Sequence, residues 1–305
     1  MKKYLFFLYI LIFTLNAFEI KNYTPIKRCI KNSNLELEIA IREFEVNSTK
    51  YFLTINPTTL QTTIKEAKES FLCPKDIETS RYYQLLNASL NNTNHPLQND
   101  GIKEAKEGVY LTTDLCPSSK KGFEERLYKE VINSFKNPVP ITIFITSRWI
   151  NKHKIEFNKL KNWQKEGKLD IVWGNHTAKH IYHPKEPLKS NFVLSKEENL
   201  PKDILDLEKT LIKEEVTPSI FFRFPGLVSN KESIEIVKNL GLITIGSNAW
   251  LAKGEKVKSG SIILLHGNKN EPRGVDIFLK LLKDGLIKEL NSTKDIEVNL
   301  HTQSH

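Results

Sequence analysis

From Val109 to Leu290 the sequence alternates short apolar or β-branched runs with longer amphipathic stretches, and this alternation is what most restricts the fold. Val109–Thr113, Val139–Thr146, Leu169–Trp173, Ile220–Arg223, Leu242–Gly246 and Ser261–Leu265 have the length and composition of buried strands. Between them, Gly122–Lys136, Trp149–Lys165, Lys196–Glu214, Lys231–Leu240 and Val275–Leu290 carry the apolar spacing of helices. Ile296–Leu300 is expected to close the series as one more strand. Parallel strands need crossover connections, and helical crossovers bury both faces of the sheet they serve. The expected fold class is therefore α/β, a distorted or incomplete (β/α) barrel of about seven parallel strands. An open doubly wound sheet is the alternative. No glycine-rich phosphate loop follows the first strand, which weighs against a nucleotide-binding sheet.

Residues 18–105 follow another pattern and are expected to form an N-terminal α+β extension, with 106–305 as the main domain. Leu35, Leu37, Ile39 and Ile41 alternate with Glu36, Glu38 and Arg42, the period of a half-buried strand. Asn47-Ser48-Thr49 reads as a turn into a second strand, Tyr51–Ile55. Helices are expected over Leu60–Ser70 and Ile77–Leu90, and Asn91–Gly101 reads as a linker.

At the start, Lys2 and Lys3 precede an apolar run, Tyr4–Leu15, and the small residue Ala17. That is the pattern of a secretory signal peptide over residues 1–17, with an uncleaved anchor as the alternative. Either way the bulk of the chain is expected to work outside the cytoplasm, periplasmic or secreted. Export permits a disulfide among Cys29, Cys73 and Cys116, and the odd number leaves one cysteine over. No C-x-x-C pair occurs, so a cysteine zinc site is not expected.

Apolar residues at 39% against 27% charged describe a globular chain, not a disordered one. Cleavage after Ala17 would remove two lysines and no acid from a formal charge of +9. The remaining positive charge suits association with anionic polymers of the cell envelope, and equally a merely solvated surface. No nucleic-acid motif or dense basic patch is present, so no nucleic-acid partner is expected.

Parallel α/β sheets collect their functional side chains at the C-terminal ends of the strands. Asp114 follows the first strand, His176 and His180 the third, Arg223 ends the fourth and His266 follows Ser261–Leu265. Two histidines four positions apart, on a helical turn, point to one side and can share a metal; Zn2+ suits imidazole, as do Ni2+ and Co2+. Asp114 has three readings: metal ligand, general base or helix N-cap. An arginine in the apolar stretch Phe221–Pro225 calls for an anionic partner, and Asp114 is a candidate. A histidine emerging from a buried strand suits a general acid near neutral pH.

These residues and their order resemble the polysaccharide deacetylases of carbohydrate esterase family 4, the NodB-homology domain, from about Gly108 to Leu290. Val109-Tyr110-Leu111-Thr112-Thr113-Asp114 is similar to the family's first motif, T-F-D-D-G-P. Gly174-Asn175-His176-Thr177-Ala178-Lys179-His180 matches its H-[ST]-x-x-H motif, and Phe222-Arg223-Phe224-Pro225-Gly226 resembles its Arg-Pro-Gly motif. Gly260-Ser261-Ile262-Ile263-Leu264-Leu265-His266 matches the last.

The resemblance implies removal of N-acetyl groups from a polysaccharide, peptidoglycan or another envelope glycan, with release of acetate. It implies a divalent metal on His176 and His180, Asp114 as the base for the attacking water, and His266 as the acid for the leaving nitrogen. Arg223 would hold Asp114 in place and keep it ionised. Pro225, Gly226 and Trp250 are expected beside the substrate. Where the family has a second aspartate as metal ligand this chain has Leu115, so either Asp114 ligates the metal in its place or water fills the gap. The family's acidic residue near Trp250 corresponds to Asn248. The alternative is a catalytically silent glycan-binding protein on the same fold, and an O-acetyl ester would suit the same attack by water.

Overall fold

The apolar runs emerge as neighbouring strands of one parallel sheet. The computed structural model describes residues 19–32, 34–90 and 99–299. The expected signal peptide, 1–17, and most of the expected linker, 91–98, lie outside the described residues. Four antiparallel strands come first: β1 (Ile20–Lys31), β2 (Leu37–Val46), β3 (Thr49–Ile55) and β4 (Thr62–Glu66), paired in chain order and followed by α1 (Arg81–Ala88). The main unit runs β5 (Val109–Leu115), α2 (Glu125–Ser134), β6 (Val139–Ile145), α3 (Ser147–Lys152), α4 (Lys154–Lys165), β7 (Leu169–Asn175), α5 (Leu200–Lys213) and β8 (Phe221–Phe222). It continues with α6 (Lys231–Asn239), β9 (Ile243–Thr244), β10 (Ala249–Trp250), β11 (Ser261–His266) and α7 (Pro272–Lys283). The seven strands β5–β11 are ordered β10-β11-β5-β6-β7-β8-β9, all parallel, and curl into a half-barrel flanked by helices.

Strand residues alternate between two cores, as the two-residue strand period demands. Leu111, Ile141, Ile143, Ile145, Ile171 and Ile263 pack outward with Leu127, Phe157 and Phe278 of the helices. Tyr110, Phe144, Val172, Phe221 and Ile262 pack inward, in one cluster with Ile39, Ile41, Phe44 and Leu53 of the N-terminal sheet. Each such fully buried side chain contributes about 1.5–3 kcal/mol relative to exposure. The N-terminal sheet thus shares the hydrophobic interior of the half-barrel. A buried bidentate ion pair adds direction to that contact: Arg42 Nε and Nη2 lie 2.7 and 2.9 Å from the Glu208 carboxylate on α5. Tyr23 Oη also donates to Glu208, at 2.9 Å. A disulfide, Cys29–Cys73, ties β1 to the segment after β4 and leaves Cys116 free and buried.

Three sequence expectations are corrected, and one strand, β1, appears where none was expected. The helix expected over Leu60–Ser70 is β4, whose Thr62, Thr63 and Ile64 are β-branched and pair with β3. The single helix Trp149–Lys165 is two, broken at His153 by its non-helical backbone, φ −119° and ψ 47°. Residues 296–299 form no strand, Leu300 lies outside the described residues, and the remaining strand of the sheet is instead β10, beside β11. β1 has no clean alternation: it is an edge strand with register shifts around Pro25, where periodicity is weakest. No helix among the described residues is long and apolar enough to cross a membrane.

Candidate active site

Register alone brings two of the candidate residues together. β5 and β11 are hydrogen-bonded neighbours in which Asp114 stands opposite His266, at the C-terminal end of both strands. On the other side, β6 carries Phe144 opposite Asp114, and β7 ends at Asn175, directly before His176. Arg223 follows β8, and its N–H donates to the Asn175 carbonyl. All the candidates therefore gather at one end of the sheet. Asp114, Cys116, His176, His180, Gly226, Trp250 and His266 line one cleft of about 490 Å³, together with Arg148, Tyr182, Phe192 and Glu271. Arg223 is fully buried beneath it, and Pro225 is buried without facing it.

Strand alternation accounts for the missing second aspartate. Asp114 and Cys116 are two positions apart and face the cleft, whereas Leu115 between them is fully buried in the outer core. A carboxylate at 115 with this backbone would enter hydrocarbon. Asn268 Nδ2 donates to the Cys116 carbonyl at 2.8 Å, and Thr146 Oγ1 to that of Leu115 at 3.1 Å, so the strand end is fixed from both sides.

Arg223 spends its guanidinium on this framework. Nη1 donates to Asp114 Oδ1 at 2.8 Å and to Thr112 Oγ1 at 2.7 Å. Nη2 donates to the Gly246 carbonyl and Nε to that of Ile245, at 2.9 and 3.2 Å. The Phe144 ring lies under the guanidinium, 4.3 Å from its centroid. Asp114 is thereby held by one oxygen and presents the other, Oδ2, 3.8 Å from His176 Nε2.

The two histidines do not sit on a helix, contrary to the sequence expectation. Residues 176–180 form an irregular turn with Thr177 and His180 at φ 64° and 48°, in the left-handed region. Such backbone costs on the order of 1 kcal/mol or more per residue and persists only when neighbours hold it. Here Asn175 Oδ1 accepts from Thr177 N–H, Thr177 Oγ1 from His180 N–H, and the buried Asp203 carboxylate from Lys179 N–H. The result is an edge-to-face pair of imidazoles with centroids 4.9 Å apart. His176 Nδ1 is 2.8 Å from the Arg223 carbonyl. A carbonyl only accepts, so Nδ1 carries the proton and Nε2 turns its lone pair to the cleft.

Nε2 of His176 lies 3.5 Å from Cys116 Sγ, and Nε2 of His180 is buried with no partner. The three ligand atoms lie within 4.8 Å of one another, an arrangement able to hold a metal ion. Burial pushes the Cys116 thiol up, but His180 and His176 outweigh burial and bring it well below its ordinary value. The cysteine was not expected in a metal site: it has no paired cysteine in sequence, and only the turn at 176–180 brings imidazoles to it.

His266 faces the other side of the cleft. Its Nδ1 is 2.8 Å from Glu271 Oε2, off the line of the ring N–H, so the contact is an ion pair rather than an aligned hydrogen bond. Burial works against the imidazolium, yet Cys116, Glu271 and Asp114 together raise His266 well above its ordinary value. Trp250 Nε1 donates to the same Glu271 oxygen at 2.8 Å and holds it in place. Glu271 lies on the turn into α7, outside every motif seen in sequence. Asn248, the position expected to carry that acid, instead accepts from Ile262 N–H and so supports β11. Gly226 forms part of the cleft wall at φ 63°, and a Cβ there would meet the Phe192 ring at 2.6 Å.

Residues 21–94 match the family model of the RP012 protein N-terminal domain, and residues 101–245 match that of polysaccharide deacetylase. Solved structures similar to this chain include a family 4 carbohydrate esterase from Bacillus anthracis, 21% identical, with 70% of this chain and 90% of that one covered and a TM-score of 0.45. The Bc1960 peptidoglycan N-acetylglucosamine deacetylase is 16% identical, with 64% and 91% covered and a TM-score of 0.46. Wild-type BA3943, a pseudoenzyme of the same esterase family from Bacillus anthracis, is 13% identical, with 88% of each chain covered and a TM-score of 0.43. The first three motifs lie inside the segment, residues 101–245, that matches the polysaccharide deacetylase model, and the His266 strand is hydrogen-bonded beside that segment.

Proposed function

We propose that this chain is an exported, metal-dependent hydrolase that removes N-acetyl groups from a glycan of the cell envelope, peptidoglycan or a related polymer, and releases acetate. The observation that carries the reading is the convergence of Asp114, Cys116, His176, His180 and His266 on one cleft at the C-terminal end of the sheet. A divalent metal held by the histidine cluster would act as a Lewis acid on the acyl carbonyl and make water a better nucleophile. Asp114 Oδ2, left free by the Arg223 contact, accepts the proton of the attacking water. His266, favoured in its protonated form by Cys116 and Glu271, donates to the departing sugar nitrogen. Trp250 and Tyr182 offer apolar faces at the cleft for a sugar ring, and Gly226 gives it room. Export is supported by the pattern of residues 1–17 and by the Cys29–Cys73 disulfide, which suits an oxidising compartment.

The test is acetate release from chito-oligosaccharides and peptidoglycan by the purified chain and by His176→Ala, with metal content measured on both. About one metal per chain and acetate from the wild type alone supports the proposal. No acetate from metal-loaded wild type on either substrate overturns it. That result would favour the second reading, a silent glycan-binding protein, whose supporting observation is the apolar, core-facing Leu115.

A further inference from the structure

We infer that Cys116 is the third protein ligand of the metal, as a thiolate, and that the site is a Cys–His–His set built for Zn2+ or Co2+ and not for Mg2+ or Mn2+. The inference rests on the metal-dependent reading above and deepens it. Four observations converge. The ligand-bearing atoms of Cys116, His176 and His180 lie within 4.8 Å of one another. The Cys116 Sγ to His176 Nε2 distance is 3.5 Å. Tetrahedral zinc with Zn–S of about 2.3 Å and Zn–N of about 2.0–2.1 Å requires an S to N edge of roughly 3.5 Å, so the pair already stands at ligand spacing. His180 Nε2 is buried and unpartnered, which leaves a lone pair or N–H without use unless the cleft supplies a partner. His176 is turned the right way by the Arg223 carbonyl.

Asp114 is the rival for this role and is worse placed. One of its oxygens is taken by Arg223, and its carboxylate is not among the three groups that cluster. A carboxylate that serves as base is more useful off the metal than on it. Cys116 carries the same single negative charge once its proton has left to solvent and the Sγ–metal bond has formed, so charge at the centre matches a carboxylate–histidine–histidine set. Softness differs: a thiolate favours Zn2+ and Co2+ and disfavours hard, oxygen-seeking Mg2+ and Mn2+. Three protein ligands leave one tetrahedral position open for water and substrate, the arrangement of catalytic rather than structural zinc. The remaining cysteines cannot compete, because they are joined to each other.

Cobalt spectroscopy reads the bond directly. The full chain is loaded with Co2+, with stoichiometry by elemental analysis, and its near-ultraviolet absorption is recorded. A thiolate-to-cobalt charge-transfer band is expected in the wild type and in Asp114→Asn, and is expected to vanish in Cys116→Ser and Cys116→Asp. Cys116→Asp is expected to keep bound cobalt without the band. Cys116→Ser is expected to lose Zn2+ affinity by more than the roughly 10–100-fold typical of removing an outer partner. Bound cobalt with no band in the wild type overturns the assignment and leaves the hydrolase reading standing. Failure of the wild type to bind Co2+ or Zn2+ at all overturns both.

Discussion

Arg223 and Asp114, 109 residues apart in sequence, form an ion pair of 2.8 Å with neither side chain meaningfully exposed. The arginine's other donors end on Thr112 Oγ1 and two backbone carbonyls, so no other residue can reproduce the geometry. Arg223→Lys keeps the charge but loses the fork. It is expected to lower kcat at least about tenfold with KM little changed, because what it disturbs is the position of a base, not substrate binding. Arg223→Ala leaves a buried carboxylate unpaired and is expected to cost about 3–5 kcal/mol in denaturant unfolding. A wild-type kcat in the lysine variant would refute the positioning role.

Glu271 predicts a pH effect. A general acid must be protonated, so the basic limb of the kcat profile follows His266. The Glu271 carboxylate favours the imidazolium, and His266 in turn holds Glu271 below its ordinary value against the opposing effect of burial. Removing the charge with Glu271→Gln lowers the His266 value, and the basic limb is expected to move to lower pH while the acid limb stays. A limb that does not move would show that another group is the acid.

The Arg42–Glu208 pair is 1% exposed on both sides and joins β2 to α5, the helix that also supplies Asp203 to the histidine turn. Glu208→Gln strands a buried guanidinium, and the expected loss of stability is about 3–5 kcal/mol, against about 0–1 kcal/mol for a surface pair. Equilibrium denaturation by urea distinguishes the two.

Glu198, half-buried near Asp203, is raised from 4.5 to about 7, first by burial and then by the Asp203 charge. A carboxyl raised in the folded state binds its proton better there than in the unfolded chain. Its contribution to stability is therefore present in full below about pH 4.5 and is lost as pH rises through about 7. Glu198→Gln is expected to flatten the fall in Tm over that window. An unchanged slope would refute the assignment.

The Cys29–Cys73 link closes a loop with a sequence separation of 44. Reduction, or the paired Cys→Ser change, is expected to destabilise by about 2–4 kcal/mol, chiefly by freeing the unfolded chain. A Tm unchanged by reductant would count against a formed disulfide.

The sheet was legible in sequence because its signal is local. Buried parallel strands such as Val139–Ile145 must be continuous apolar runs, and their helices must carry an apolar stripe, so six of the seven strands and all the principal helices stand near their expected places. The rule that chemistry gathers at strand C-termini then pointed to Asp114, His176, His180, Arg223 and His266 without any knowledge of register. The misjudged elements are those where local preference is weak and a partner decides. Thr62–Glu66 becomes a strand because β3 is beside it, and Ala249–Trp250 because β11 is. The site's finer design is of that second kind. Cys116 faces the cleft because strand alternation pairs it with Asp114 and sends Leu115 into the core. Glu271 reaches His266 only through the turn into α7, and the histidine pair converges only because Asn175, Thr177 and Asp203 hold a left-handed turn. Sequence determined which strands and helices form and which of their ends bear reactive groups, since propensity and periodicity act over a few residues. Tertiary structure decided which of those groups meet, since contacts between residues a hundred positions apart exist only once strand order and register are set.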